Sequence, residues 1–203
     1  MKPPVQELRV FRGAEAWLPT AAGEFRMLVF LGEQDSCEQV ALVCGSLEGD
    51  APVLVRLHSE CLTGDVFRSQ RCDCGAQLDR ALAEVGRSGR GVLLYLRQEG
   101  RGIGLLNKTR AYRLQELGRD TVEANLALGF AMDLRDYRLA AAILKELGVR
   151  RVELLTNNPA KVRALESCGL EVSRRPLEVP PTPASQTYLR TKREKMGHDL
   201  RLV

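Results

Sequence analysis

The spacing of apolar residues changes about a third of the way along the chain. Up to residue 57 they fall in short runs rich in Val and Leu: Phe25 to Leu31, Gln39 to Cys44 and Pro52 to Leu57. Each run is bounded by Gly, Asp or Pro, which predicts strands. From Ala76 to Arg87 the spacing becomes helical, with Leu78, Leu82 and Val85 on one face. Gly91 to Leu96 is a continuous apolar run, as in a strand buried on both faces. A helix through Ala111, Leu114 and Leu117 should stop at Gly118, and another should follow Thr121. Asp136 predicts the N-cap of a helix carrying Ala140, Ile143, Leu144 and Leu147, with Gly148 past its end. Arg151 to Leu155 reads as a short strand. Asn158 and Pro159 form a cap-plus-N1 signal for a helix ending near Gly169. Pro176 to Pro183 reads as a loop leading to a basic helix over Tyr188 to Leu200.

These elements predict a mixed α/β (α+β) fold. A largely β N-terminal half is followed by βα alternation, with helices packed on a mixed sheet. No linker composition separates domains, so a single domain over 1–203 is expected, with about 1–8 and 199–203 as disordered ends.

Composition narrows the class. Hydrophobic residues make up 44% of 203 positions, enough for a core and against global disorder. No apolar run is long enough to span a bilayer, and the opening Met1-Lys-Pro-Pro has no apolar signal core. A cytoplasmic protein without a membrane partner is expected. The formal charge of +4 suits an anionic ligand. With only 5% aromatic residues it falls short of the basic, aromatic-interleaved surface of a nucleic-acid binder.

Of the six cysteines, Cys61, Cys72 and Cys74 cluster, while Cys37, Cys44 and Cys168 are isolated and read as structural. In a reducing compartment such a cluster points to metal or catalysis rather than disulfides. Three thiolates leave a fourth zinc position open for water, the catalytic pattern; buried, inert cysteines are the alternative. A zinc deaminase would show His-x-Glu and then Pro-Cys-x-x-Cys. Here His58-Ser59-Glu60 is present, but the cysteine pair has one intervening residue and no Pro. Three thiolates overcompensate the metal charge, so nearby cations or a base would have to help acidify water.

Two loops follow strands and open helices. Arg97-Gln98-Glu99-Gly100-Arg101-Gly102-Ile103-Gly104 is placed to aim backbone N–H groups at an anion, or to form a tight turn. Its glycines miss the dinucleotide spacing. Asn107 stands where a Walker loop ending Lys108-Thr109 needs glycine. In Thr156-Asn157-Asn158-Pro159-Ala160-Lys161 the cap explains Asn158 and Pro159. It does not explain Thr156 or Lys161, which either hold phosphate or ribose oxygens or lie on a solvated surface.

Taken together, Arg56-Leu-His-Ser-Glu-Cys-Leu-Thr-Gly-Asp65, Arg71-Cys-Asp-Cys-Gly75, Arg97 to Leu105, Asp120-Thr-Val-Glu-Ala-Asn125, Thr156-Asn-Asn-Pro159 and Lys195-Met-Gly-His198 resemble the GTP cyclohydrolase II family of riboflavin biosynthesis. The matching strings cover about residues 50 to 200 in family order. The resemblance implies a Zn2+- and Mg2+-dependent homodimer, with one zinc per chain. It implies that GTP is opened at its imidazole ring to formate, pyrophosphate and 2,5-diamino-6-(5-phosphoribosylamino)pyrimidin-4(3H)-one. By position it implies Cys61, Cys72 and Cys74 as zinc ligands. Arg56, Leu57, His58, Ser59, Glu60, Gln77, Glu99, Gly100, Arg101, Thr121, Thr156 and Lys161 are the implied GTP contacts. Asp133 is the implied proton acceptor and Arg135 the implied nucleophile, with Tyr112 near the zinc.

Several roles stay open on chemistry alone. Arg135 is either a nucleophile or a clamp on the leaving pyrophosphate, since guanidinium keeps its protons. Tyr112 either relays a proton or packs. Glu99 and Glu60 either read the guanine edge or pair with Arg56, Arg97 or Arg101. Asp133 and Arg135 are two apart and would not face one another on a helix, so a turn is expected there. The alternative function is a zinc nucleotide deaminase.

Overall fold

The computed structural model describes residues 8–33 and 35–203, and the disordered end expected for about 1–8 falls outside them except at its last residue. By internal contacts the chain divides into two compact units. One comprises the described part of Met1–His58 with Arg80–Arg97 and Asp136–Leu177; the other comprises Ser59–Asp79, Gln98–Arg135 and Glu178–Val203.

The first unit holds a seven-stranded mixed sheet in the order β1-β2-β3-β5-β4-β6-β7. Its strands are β1 (Val10–Thr20), β2 (Gly23–Gly32), β3 (Asp35–Cys44), β4 (Val53–Ser59), β5 (Gly91–Leu96), β6 (Arg151–Leu155) and β7 (Glu171–Arg175). The β1–β2, β2–β3 and β3–β5 pairs are antiparallel, whereas β4–β6 and β6–β7 are parallel. The central strands β4 and β5 are buried along nearly their whole length, as the continuous apolar run of β5 requires; in β4 the burial takes in Arg56 and His58 as well. Helices α5 (Arg138–Glu146) and α6 (Pro159–Ser167) contribute Ala140, Ile143, Leu144 and Leu165 to one core with Leu28, Phe30, Val55, Leu57, Leu94 and Leu154.

The second unit is helical. It contains the single turn α1 (Leu62–Asp65), the start of α2 (Cys74–Ser88), α3 (Gly104–Glu116), α4 (Thr121–Ala127) and α7 (Gln186–Met196), with a 3-10 turn over Glu99–Gly102. Its interior is unusual in chemistry. Besides Ile103, Ala111, Ala124 and Leu189, it buries Cys61, Asp65, Asp73, Lys108 and Asn125. Charged groups are rarely buried unless paired, so this composition marks a site rather than a core.

The predicted elements are found with four differences. Strands β1 and β7 were not expected. Both are sheet edges with mostly exposed residues, so neither carries the apolar alternation that betrays a strand. The one-turn helix α1 is too short to show a period. Helix α7 ends at Met196 rather than Leu200, because Gly197 takes a left-handed conformation (φ 64°) that closes the helix. The N-cap of α5 is Tyr137, although Asp136 still accepts the Arg138 N–H at 2.9 Å. Residues 199–203 have no regular structure, but the Arg201 and Leu202 N–H groups both donate to Glu178 Oε2.

Candidate functional site

The three clustered cysteines meet in the second unit. Cys61 precedes α1, Cys72 lies in the following turn and Cys74 opens α2. Their sulfurs lie within 4.8 Å of one another, and Cys61 Sγ and Cys72 Sγ are 3.7 Å apart. Zinc–sulfur bonds of about 2.3 Å at tetrahedral angles put sulfurs about 3.8 Å apart, so the triad has the spacing a zinc ion needs. Gly64 makes the space: an added Cβ would stand 2.9 Å from Cys72 Sγ, 3.0 Å from Cys74 Cβ and 3.2 Å from Cys61 Sγ. Asp65 Oδ2 accepts the Cys61 N–H at 2.9 Å and fixes the turn. No other group of three or more His, Cys, Asp or Glu residues capable of holding a metal is found among the described residues. The donor set is three sulfurs without a fourth side chain, which fits an open catalytic zinc position and lacks a deaminase histidine.

A cation sits on the triad. Lys108 Nζ, from α3, donates to Cys61 Sγ at 3.1 Å and to Glu99 Oε1 at 2.7 Å. Burial pulls the Lys108 ammonium down, but the Glu99 hydrogen bond and the charge at Cys61 outweigh it, and the group ends above its ordinary range. Hydrogen bonds from Cys72 and Cys74, aided by Lys108, hold Cys61 far below the usual thiol range. Cys72 is pushed up to about 11, first by its hydrogen bond to Cys61, and Cys74 rises for the same reason. Within the triad the ammonium of Lys108 favours negative charge on the Cys61 sulfur, the one it touches. Tyr112 OH lies 3.2 Å from Thr63 Oγ1, which lies 3.7 Å from Cys61 Sγ. Burial raises the Tyr112 phenol, which therefore stays protonated.

Glu99 does not pair with the arginines near it in sequence. Its Oε2 accepts the Leu62 N–H at 2.7 Å, and its Oε1 accepts the Gly100 N–H at 2.7 Å as well as Lys108. A carboxylate bonded to three donors ties the glycine loop to the cysteine loop. It also uses one of the backbone donors that sequence reasoning reserved for an anion. Gly100 and Arg101 are both left-handed (φ 63° and 62°), a conformation that costs an arginine roughly 1–2 kcal/mol. The bend brings the loop against the segment after α4. The Leu134 N–H donates to the Arg101 carbonyl at 3.1 Å, and a Cβ at Gly102 would press on Leu134.

Asp133 and Arg135 lie in that segment, which is irregular, as their spacing required. Arg135 grips Asp133 in a fork, Nε to Oδ1 at 2.8 Å and Nη2 to Oδ2 at 2.5 Å. Burial pushes the Asp133 carboxyl up, but Arg135 outweighs it and holds it below the usual range. Helix α7 ties this unit together. Lys192 donates to Asp73 at 2.8 Å between the two later cysteines, and Lys195 pairs with Asp120, the capping-box residue at the start of α4. Thr121 is the first residue of that helix. Gln77 donates to Asp73, and Ser59 Oγ accepts from Gln98 at 2.8 Å. Glu60 is half-buried between β4 and α1.

The remaining predicted contacts lie in the first unit. Arg56 is buried and donates to the Leu155 carbonyl at 3.0 Å, and His58 stacks on Tyr95 at 5.5 Å. Thr156 Oγ1 accepts the Asn158 N–H, and Asn158 caps α6. Lys161 is not on a solvated surface. It is 5% exposed, donates to the Leu57 carbonyl at 2.8 Å and lies over the Tyr137 ring. Lys108, Lys192, Asp73 and Gly64 were not anticipated. The near-Walker string drew attention to Lys108 but suggested a phosphate rather than a sulfur.

The sequence profile described as GTP cyclohydrolase II matches residues 12–176. Riboflavin biosynthesis protein RibBA of Bacillus mycoides (strain KBAB4) is 57% identical over 197 residues, covering 97% of this chain and 50% of its own length. RibBA of Chlorobium phaeovibrioides (strain DSM 265 / 1930) is 56% identical over 190 residues, 93% of this chain and 46% of its own. The chain spans about half the length of the curated relatives it matches. A solved structure titled as RibBX, a two domain 3,4-dihydroxy-2-butanone 4-phosphate synthase from A. baumannii, covers 81% of this chain and 39% of its own. With 21% identity and a TM-score of 0.46, it bears on neither fold nor function.

Proposed function

The chain belongs to the GTP cyclohydrolase II family, and from that premise we propose that it hydrolyses GTP at zinc in the first step of riboflavin biosynthesis. The products are formate, pyrophosphate and 2,5-diamino-6-(5-phosphoribosylamino)pyrimidin-4(3H)-one. The observation that carries the reading is the triad of Cys61, Cys72 and Cys74 at zinc spacing, with no fourth side chain in the group. Cys61, Cys72 and Cys74 would hold the zinc, which would supply Lewis-acid activation of water for the ring-opening hydrolysis.

The chain's own residues divide the remaining work. Lys108 balances the negative charge of the sulfurs, and Tyr112, protonated and next to Thr63, is the proton donor proposed for ring opening. Glu99, with three donors already bound, holds the two loops together. Glu60 and Glu99 both remain proposed contacts for the N1–H and 2-amino edge of guanine. Arg101, Arg56, Lys161 and Thr156 are the proposed phosphate and ribose contacts.

For pyrophosphate release the geometry favours a clamp. Ordinary Arg and Asp groups differ by more than about 8 pKa units, so passing a proton from one to the other costs over roughly 11 kcal/mol. Asp133 is held even lower than usual, which widens the gap. A fork-bound, fully charged Arg135 is well suited to receive the charge that develops on the leaving phosphates. Mg2+ is proposed to arrive with the triphosphate, because that ion keeps several waters and uses few carboxylates. A second copy of this chain is the proposed partner. The edge strand β1, with Trp17 and Phe11 exposed, offers apolar surface to such a pair. No helix among the described residues is long and apolar enough to cross a membrane.

The test is to incubate the protein with GTP, Zn2+ and Mg2+ and to assay formate, pyrophosphate and ammonia. Formate and pyrophosphate together are expected. Ammonia without formate would replace this reading with a deaminase.

A further inference from the structure

We infer that Lys108 is a positioning residue of the cysteine triad: locked by Glu99, its ammonium hydrogen-bonds the Cys61 sulfur and restrains that thiolate's donation to the metal. The inference rests on the zinc reading above and deepens it.

Three observations carry it. The ammonium makes two short contacts, 3.1 Å to Cys61 Sγ and 2.7 Å to Glu99 Oε1. Its side chain is about 10% exposed and that of Glu99 about 9%, so neither contact is a wandering surface pair. Glu99 in turn is anchored by the Leu62 and Gly100 N–H groups, one on each loop, so its carboxylate cannot follow the lysine elsewhere. A lysine whose work was only to balance Glu99 would have no need to reach the sulfur.

The chemistry explains why the site needs it. Three thiolates donate more charge than Zn2+ carries, which blunts the metal as a Lewis acid. A hydrogen bond from a cation lowers the energy of a sulfur lone pair and so weakens its donation. Partners of metal ligands at this distance commonly change affinity or activity by 10–100-fold when removed. The contact falls on Cys61 alone, so the three Zn–S bonds should be unequal.

The experiment uses Co2+ in place of Zn2+ in the full chain and reads the sulfur-to-cobalt charge-transfer band at saturating metal. A chelator competition measures zinc retention. The variants are Lys108→Met and the double variant Lys108→Met/Glu99→Gln. The second removes the stranded carboxylate charge and keeps one of the two acceptor oxygens that the Leu62 and Gly100 N–H groups use, so circular dichroism confirms its fold before the band is read. Lys108→Arg tests rescue, since its guanidinium can still donate to sulfur.

In both methionine variants the band should move to longer wavelength, because the freed thiolate is easier to oxidise, and zinc should be retained more tightly, by up to about 10–100-fold, because the sulfur's donation is no longer restrained. Lys108→Arg should recover much of the band position. If the double variant, folded and cobalt-loaded, keeps the wild-type band, Lys108 is only a partner of Glu99 and the inference fails. If the wild-type protein shows no such band at all, it is the zinc reading that fails instead.

Discussion

Gly64→Ala is the most economical test of the metal centre, because it adds one methyl group and changes no ligand. Gly64 does not have a positive φ, so alanine meets no backbone penalty there and the effect is purely steric. The new Cβ would stand 2.9 Å from Cys72 Sγ, 3.0 Å from Cys74 Cβ and 3.2 Å from Cys61 Sγ. Ordinary contacts begin near 3.5 Å, so at least one sulfur must retreat by roughly half an ångström. Metal-bound sulfurs tolerate departures of only about 0.2 Å from their preferred distances. Forcing a methyl into a filled space costs roughly 1–3 kcal/mol, which as a loss of zinc affinity is about 5- to 150-fold. Thiols without a metal can turn aside, so the fold should survive and the cost should fall on the zinc-bound form.

The assay is zinc content after dialysis against a graded series of chelator, with circular dichroism to confirm folding. The expected result is a folded protein that surrenders zinc at chelator levels the wild type resists. Equal retention by Gly64→Ala and wild type would mean that the sulfurs do not converge on a metal beside residue 64, and the site as described would be wrong.

Other expectations address the separate parts of the reaction. Cys61→Ser should abolish formate release and keep pyrophosphate release, whereas Arg135→Ala should lose pyrophosphate; Arg135→Lys should keep a measurable part of that rate if the residue is a clamp, since a point charge still holds phosphate. Parallel formate and pyrophosphate assays on these variants decide it, and a zinc-ligand variant that loses both products while Arg135→Ala keeps both would sink the division. Tyr112→Phe should slow formate release roughly 10²-fold with zinc content unchanged if the phenol is the proton donor, and an unaltered rate would leave Tyr112 as a packing residue. Asp133 has a folded pKa below its unfolded value, so its pairing stabilises the fold above the unfolded pKa and is lost as pH falls through the folded one. Denaturant midpoints of wild type and Asp133→Asn should therefore differ at pH 7, begin to approach one another only below about pH 4 and meet once the pH lies beneath the folded pKa; a difference unchanged throughout that acid range would contradict the ion pair.

The sequence revealed those elements that bury a face. Strands β4 and β5 lie in the middle of the sheet; the unbroken apolar run of β5 could mean little else, and the Val and Leu of β4 mark it although Arg56 and His58 interrupt them. The N-cap and N1 pair Asn158-Pro159 gave the start of α6 to the residue. Strands β1 and β7 escaped because an edge strand is held by backbone hydrogen bonds on one side only. Segments such as Val10-Phe-Arg-Gly-Ala-Glu-Ala or Glu171-Val-Ser-Arg-Arg satisfy that requirement with no apolar period. Their register is set by β2 and β6, which are far from them in side-chain pattern though close in space.

The candidate site was legible in a different way. Its metal ligands share one residue type within fourteen positions, so chemistry alone grouped Cys61, Cys72 and Cys74. Its charge balance was not legible, because Lys108 and Lys192 acquire meaning only through partners. Lys108 is 47 residues from the sulfur it touches, and Lys192 is 119 residues from Asp73. The need for them could still be stated beforehand: three thiolates around a dication require a compensating cation, and burial forbids leaving it unpaired. Each buried ammonium does have its carboxylate, Glu99 for one and Asp73 for the other. Glu99 illustrates the converse error. Its position between Arg97 and Arg101 suggested an ion pair or a guanine contact, yet the left-handed turn at Gly100 and Arg101 folds the loop so that the carboxylate meets Leu62, Gly100 and Lys108 instead. A residue's neighbours in sequence predict its electrostatic partner only while the backbone stays regular, and functional loops are where it does not.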